Sequence, residues 1–437
     1  MAGQLGAAEQ ETSVVLIRVN SWIVGSRQKQ STNSHESARK KRKSNFEFLH
    51  KSQRDKFVFI SSILVAQSVR IESIVLHRVR VPFVEPFRIS NGVVAEKNSI
   101  LVEVKTEDGV VGWGECSPMS GSFYSAATPD TSWQALTEGL IPRIFEPEVV
   151  KLSELYKQFR EMPGDAFAKA GIEGAIWDVY ANSERISLCE ALGLTRRPVP
   201  SGVAISIFDN VEELLDRVRL YVGDGYQRVK IKIEPGWDIE PVSAVREEFP
   251  DVPLMVDANA AYTVNDKPVF SELDRFGLMM IEQPLAANAI DEAGELQAHL
   301  NTPLCADESA ESLTHLNRLI EKKAARIINI KVQRVGGLSE ALLMLETARN
   351  AGLECWVGTM PELGIASAQG LHLAMHSGFS FPTDIEASTR WYVDDVIEPL
   401  IEIDKNGFIH VPDEAGSGYK VSRTKTEQYT TAVESFA

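Results

Sequence analysis

From Ile71 onward the chain falls into two patterning regimes. In the first, IESIVLHRVRVPF and SILVEVKTEDGVVGWGE form two β-rich runs with a Glu107-Asp108-Gly109 turn inside the second, which predicts antiparallel strands joined by a hairpin. SWQALTEGLIPRIFE and AFAKAGIEGAIWDVYANSE follow, and their Ala, Ile and Trp recur at three- and four-residue spacing, which predicts helices. Together these give a small α+β domain over residues 69–197. After Val199, eight short apolar runs (GVAISIF, RVKIKI, PLMVDAN, GLMMIEQP, TPLCADES, RIINIKV, LECWVGTM and FSFPTDI) alternate with amphipathic segments such as VEELLDRVRLYVG. Alternation of this kind predicts a parallel sheet with helical crossovers, and eight units predict a closed (β/α) barrel over residues 198–390. A doubly wound open sheet is the competing arrangement, but no G-x-G-x-x-G follows the first run. Residues 391–437 are expected to return to the first domain as its C-terminal part.

Residues 1–68 have a different character: polar, Ser- and Gln-rich, with the basic run RKKRK at 39–43. Basic residues ahead of the apolar stretch 57–69 imitate a signal peptide, but 38 residues precede the charges, where such a peptide would begin near the N-terminus. The segment reads as a disordered tail or as a start codon assigned too far upstream. It holds 11 Lys/Arg against 5 Asp/Glu, so the rest of the chain carries −22, the −16 of the whole less the tail's +6. An acidic body of that size repels nucleic acid phosphates. The 57–69 stretch is also too short for a membrane-spanning helix, which needs roughly 20 apolar residues. Cys116, Cys189, Cys305 and Cys355 show no C-x-x-C spacing, so neither a disulfide framework nor a zinc knuckle is indicated and a cytoplasmic protein is expected.

The chemistry lies in the spacing of charged residues at the ends of the barrel runs. Lys232, Asp257, Glu282 and Asp307 are each 25 residues apart and Lys331 follows 24 later. One strand-helix unit has that length, so the five occupy the same place in consecutive units, the C-terminal rim where barrel active sites lie. Neighbouring strands are about 4.8 Å apart, close enough for Asp257, Glu282 and Asp307 to share one ion. An all-oxygen set suits Mg²⁺, with Mn²⁺ as the alternative. Lys230 and Lys232 are two apart on one strand and point to the same side. Lys331 lies four strands further round, so Lys232 and Lys331 should face each other across the mouth, an amine on either face of a bound small-molecule carboxylate. Near a divalent cation and a second amine, a lysine ammonium is disfavoured, which makes Lys232 the leading general base and Lys331 the opposite acid or base.

VKIKIEPGWD (229–238), VDANAAYT (256–263), IEQPL (281–285), ADES (306–309) and NIKVQRVGG (329–337) resemble the o-succinylbenzoate synthase and N-acylamino acid racemase branch of the enolase superfamily, in its muconate-lactonizing subgroup. The likeness runs from about Ile71 to the C-terminus and includes PFRISNG (86–92), DGVVGWGE (108–115) and FPTDIEAS (381–388). It implies a TIM-like barrel under a capping domain that chooses the substrate, Mg²⁺ on Asp257, Glu282 and Asp307, and acid/base roles for Lys232 and Lys331. It also implies abstraction of a proton next to a carboxylate through an enediolate. In members that dehydrate 2-succinyl-6-hydroxy-2,4-cyclohexadiene-1-carboxylate the KIK lysine makes both proton transfers, whereas in racemases both lysines do. The chain departs from the branch pattern at Gly358-Thr359-Met360-Pro361-Glu362-Leu363-Gly364, after the seventh run, which leaves the substrate open. The cap stretch SGSFYSAATPD (120–130) also matches only loosely.

Gly358, Thr359, Met360 and Glu362 are accordingly candidate pocket residues, with Lys230, Asn259 and Glu308 as supporting partners of the ligands. Arg334 either receives an acidic substrate arm or forms a salt bridge at the next helix. His372 and His376, four apart on a predicted helix, lack an intervening Glu and read as helix-face residues. The leading function is a lyase, o-succinylbenzoate synthesis for menaquinone. An isomerase acting on N-acyl or N-succinyl amino acids or a dipeptide is the second, and a non-catalytic barrel the third. A homo-oligomer without nucleic acid or membrane partners is expected.

Overall fold

Strand β1 (Ile71–Ile89) and strand β2 (Gly92–Thr106) form one long antiparallel hairpin, and β3 (Val111–Cys116) adds to it across the Glu107–Gly109 turn. The computed structural model describes residues 67–90, 92–120 and 125–437. Readings made above for residues 1–66, and for the centre of the 120–130 stretch, fall outside the described residues. Helix α1 (Ala166–Glu184) lies across β3; the Asp165 carboxylate caps its start by accepting from Ala168 N, and left-handed Arg185 ends it. Its sequence is apolar on nearly all sides because it is buried between the sheet and the barrel.

Glycine decides how close that helix comes. A Cβ on Gly114 would lie 2.0 Å from Gly171 O and 2.6 Å from Ala175 N, so β3 touches the helix backbone directly. The last strand of the chain (Thr430–Phe436) pairs antiparallel with β1, so this sheet is completed by the two ends of the described chain.

The second half alternates strands with the helices α2 (Val211–Asp224), α3 (Ile239–Glu248), α4 (Lys267–Leu273), α5 (Ile290–His299), α6 (Leu313–Lys322), α7 (Leu338–Asn350) and α8 (Gly364–Ala374). The strands are β4 (Val203–Ile205), β5 (Val229–Lys232), β6 (Leu254–Asp257), β7 (Ile281–Glu282), β8 (Leu304–Ala306), β9 (Ile327–Ile330) and β10 (Glu354–Val357). All seven run parallel in sequential order. The eighth run, FSFPTDI, is not a strand of this ladder. It closes the ring by single bridges, Cys355 with Phe379 and Ser201 with Thr383, supported by Gly202 N to Thr383 O at 2.8 Å. Pro382 in its middle has no N–H to offer a neighbour, which interrupts regular pairing there.

Inside the ring, buried Met255, Met280, Cys305, Ile327 and Trp356 form a plug. The Trp356 indole donates to Cys305 Sγ at 3.3 Å and lies under both Arg228 and Lys230, about 5 Å from each. The barrel therefore has a solid floor on which its charged rim stands.

Replacing Gly114 by Ala forces β3 off α1. Thermal unfolding of Gly114→Ala is expected to show a loss of about 3 kcal/mol, the upper range for overpacking a tight contact. An unchanged melting temperature would mean that strand and helix separate at no cost.

Candidate active site

Strand register brings the charged residues to one rim. Lys232 ends β5, Asp257 ends β6 and Glu282 ends β7, and the pairing sets Lys232 beside Asp257 and Asp257 beside Glu282. Asp307 follows β8 directly and Lys331 follows β9. All five side chains are buried.

Burying charge is tolerable only where it is paired, and here each acid meets a cation. Lys232 Nζ donates to Asp257 Oδ2 at 2.6 Å and to Asn259 Oδ1 at 2.9 Å. Lys331 Nζ donates to Asp307 Oδ2 at 2.9 Å while Arg334 holds the other oxygen of Asp307. Lys230 donates to Asp384 and, at 3.2 Å, to Glu282 Oε2. Arg228 also donates to Asp384, at 2.7 Å, and Asn329 Nδ2 donates to Glu282 Oε1 at 2.6 Å.

The titration behaviour follows from this pairing. Burial acts to raise every carboxylate, but Lys232 and Lys230 beside Asp257, and Arg334 and Lys331 beside Asp307, overcome it and hold both below the usual range. Glu282 is less well compensated; burial and then the charge of Asp257 push it up to about 8. Lys230 also loses solvation, yet Asp384, Glu282 and Asp257 hold its ammonium well above the ordinary lysine value.

Lys230, Lys232 and Lys331 open onto one pocket of about 480 Å³, a volume that includes its mouth to solvent. Phe87, Ile89 and Met119 roof it from the N-terminal sheet side, and Thr359, Met360 and Pro361 wall it from the loop after β10. Lys232 and Lys331 come from strands four steps apart in the sheet, so a planar ligand between them meets an amine on each side.

Other candidates sit elsewhere. Gly358 leaves room for Asn329, whose amide oxygen would lie 2.1 Å from a Cβ there. Glu362 does not line this pocket; its Oε1 accepts from Met360 N at 2.9 Å, and burial pushes it up to about 7. Glu308 accepts from Asn259 Nδ2 at 3.1 Å and, with Arg334, borders a separate cleft. His372 is fully buried, with Nε2 3.0 Å from Ser417 O, and burial pushes its pKa down to about 4. Sequence reasoning gave no role to Arg228, Asn329, Asp384 or Trp391. Asp384 stood inside the quoted FPTDIEAS string, and its place after the eighth run was the one available signal.

Asp257, Glu282 and Asp307 supply only oxygen donors, are almost completely buried and repel one another, which is the chemistry of a hard divalent cation site. Among the described residues, however, no three Asp, Glu, His or Cys side chains already stand at ligand spacing. Ammonium and guanidinium groups occupy the acids in their place.

Fold and rim define a class: a parallel (β/α) barrel beside an antiparallel sheet, with buried lysines and carboxylates facing a common pocket. Residues 70–193 match the mandelate racemase / muconate lactonizing enzyme N-terminal domain, and residues 213–425 match the enolase C-terminal domain-like family. The chain is 42% identical to an o-succinylbenzoate synthase of Geobacillus kaustophilus over 83% of its own length and 96% of that protein's. It is 38% identical to an N-succinylamino acid racemase of an Amycolatopsis species, over 83% and 98% respectively. The solved structure of an enolase superfamily member from Listeria innocua superposes with a TM-score of 0.81 at 34% identity, covering 84% of this chain and 99% of that one. The chain belongs to the enolase superfamily, whose enzymes bind Mg²⁺. Among the described residues, no helix is long and apolar enough to cross a membrane.

Lys230 neutralises three acids, so Lys230→Met leaves them with too little compensation. A loss of about 3–5 kcal/mol is expected, the cost of breaking a buried pair. In the variant Glu282, already above its unfolded value, is pushed further up, and Asp257 and Asp384 lose part of the charge that holds them down. The stability lost relative to wild type accordingly grows as pH rises above about 4. The difference in melting temperature from wild type should therefore be larger at pH 8 than at pH 5. Equal differences at both would remove Lys230 from the charge balance.

Proposed function

We propose that this protein is an o-succinylbenzoate synthase that holds Mg²⁺ on Asp257, Glu282 and Asp307. The observation that carries it is the pair Lys232 and Lys331 opening onto one pocket beside those acids, in a chain that matches synthases along nearly their whole length. The proposed substrate is 2-succinyl-6-hydroxy-2,4-cyclohexadiene-1-carboxylate. Bound there, the metal supplies positive charge where negative charge develops on the substrate carboxylate, so its stabilisation is largest in the transition state.

Lys232 removes the ring proton next to the carboxylate. The electron pair left behind is delocalised onto the substrate carboxylate as an enediolate and returns to form a ring double bond as the hydroxyl leaves the adjacent carbon. The Lys232 ammonium then returns its proton to the departing oxygen, so that water is released and the ring is aromatic. Lys331, from the opposite side, keeps a positive charge near the intermediate. Asn259, bonded to Lys232 Nζ at 2.9 Å, holds the amine in position. Phe87, Ile89 and Met119 exclude water above the reacting carbon.

Racemisation of N-succinyl amino acids is the second reading, supported by relatives of that name at 38% and 34% identity and by the second lysine in the pocket. The four cysteines are buried free thiols, which supports a reducing cytoplasm.

Two experiments test this. Calorimetric titration with Mg²⁺ should lose its binding signal in Asp257→Asn, Glu282→Gln and Asp307→Asn while each variant remains folded; undiminished affinity in all three sinks the metal assignment. Lys232→Ala should lose at least about 10³-fold in dehydration, as expected for a general base. In D₂O, rapid deuterium exchange into N-succinyl amino acids by wild type, with no conversion of the cyclohexadiene, would replace the lyase by the racemase.

A further inference from the structure

Away from the rim, a second set of buried charges joins the N-terminal sheet to the pocket wall. Lys97 on β2 is 2% exposed, and its Nζ donates to Ser117 O at 3.0 Å, Pro118 O at 3.4 Å and Met360 O at 3.2 Å. Glu115 on β3 is fully buried. Its Oε1 accepts from Ser99 Oγ at 2.8 Å and Leu363 N at 3.0 Å, and its Oε2 accepts from Ala366 N at 3.1 Å. Leu363 and Ala366 begin helix α8, whose first N–H groups have no partners within the helix. A carboxylate from the neighbouring domain thus caps a barrel helix, where negative charge is favoured.

Thr359, Met360 and Pro361, the loop that walls the lysine pocket, contain the first of these anchor points and lead directly into the second. Lys97 holds the loop at Met360 and Glu115 holds it where the helix starts. On the other side, Gln333, two residues past Lys331, accepts from Ser117 N at 3.0 Å and donates to Glu115 O at 2.8 Å. One strand end is therefore tied to the pocket wall and to the turn that bears Lys331.

We propose that Lys97 and Glu115 are positioning residues for the substrate pocket: they touch no substrate, but they fix the Thr359–Pro361 wall and so set substrate affinity. Burial disfavours both charges, which is the reason neither can be lost alone without disturbing the other. The proposal rests on the assignment of this pocket as the substrate site.

The test pairs a readout of the loop with a readout of binding. Glu115→Gln keeps the shape but offers an N–H₂ group where an acceptor is required. Hydrogen exchange in the 358–366 peptide should rise about tenfold, and KM should rise about tenfold with kcat within about twofold, the effect of losing one charge-assisted hydrogen bond. If the variant fails to fold, the Lys97→Met/Glu115→Gln variant, which removes one group of each sign, takes the same measurements with the same expectation. Wild-type exchange in 358–366 overturns the proposal. So does a loosened loop with wild-type KM, which would make the pair structural only. The failure of the reaction assignment is distinguishable: wild type would then turn over neither the cyclohexadiene nor N-succinyl amino acids, while exchange still reports whether the loop is held.

Discussion

A set of ionised groups buried in the mouth of a barrel must be mutually neutralised, and this requirement organises the molecule. Five cations (Arg228, Lys230, Lys232, Lys331 and Arg334) are interleaved with Asp257, Glu282, Asp307 and Asp384. Each group has lost most of its contact with water, so each depends on a neighbour delivered by another strand. The strand register cannot shift by one residue without turning these side chains into the hydrophobic layer outside the barrel. The charged rim is therefore a constraint on the fold.

The N-terminal sheet answers the same requirement from above. Charged groups on an open rim would be hydrated and their interactions screened, whereas under Phe87, Ile89 and Met119 they act across a medium of low polarity. Covering the rim needs a rigid cover, and rigidity comes from backbone contact between β3 and α1 at Gly114 and from the strand the C-terminus adds to β1. Trp391, packed against Phe83 and Phe87 at 5.6 and 4.8 Å, carries this cover onto the segment that follows the irregular eighth barrel position.

How much of this was legible in the sequence depended on whether the feature repeats. Lys232, Asp257, Glu282, Asp307 and Lys331 recur at the length of one strand-helix unit, so counting alone put them on consecutive strands. The antiparallel hairpin was legible from its β-rich runs and its Glu-Asp-Gly turn, and α1 from the three- and four-residue recurrence of Ala, Ile and Trp, although it is apolar on nearly all sides. Asp384 was not, because it belongs to the one unit that Pro382 makes irregular, and its partners Arg228 and Lys230 are more than 150 residues away in sequence. Glu115 stood inside a quoted motif, DGVVGWGE, but a motif says nothing about a helix N-terminus 248 residues further on. Glu362 was expected at the pocket from its neighbours Thr359 and Met360. Its side chain turns instead to its own backbone, a local choice that residue order cannot reveal.

The buried lysines and carboxylates of this molecule are carried on strand ends, while the pocket onto which the lysines open is walled by a loop and by the cover. Those two parts obey different physical rules. Lys232 and Lys331 are fixed by backbone ladders whose geometry tolerates little change, because a displaced ammonium leaves a buried carboxylate unpaired. Thr359, Met360 and Pro361 form no ladder, so their side chains can change at a cost limited to local packing, provided the ends of the loop stay tied. Proton abstraction beside a carboxylate can thus be retained while the shape of the remaining pocket varies. The division is compatible with relatives of this chain that bear two names, a synthase and a racemase.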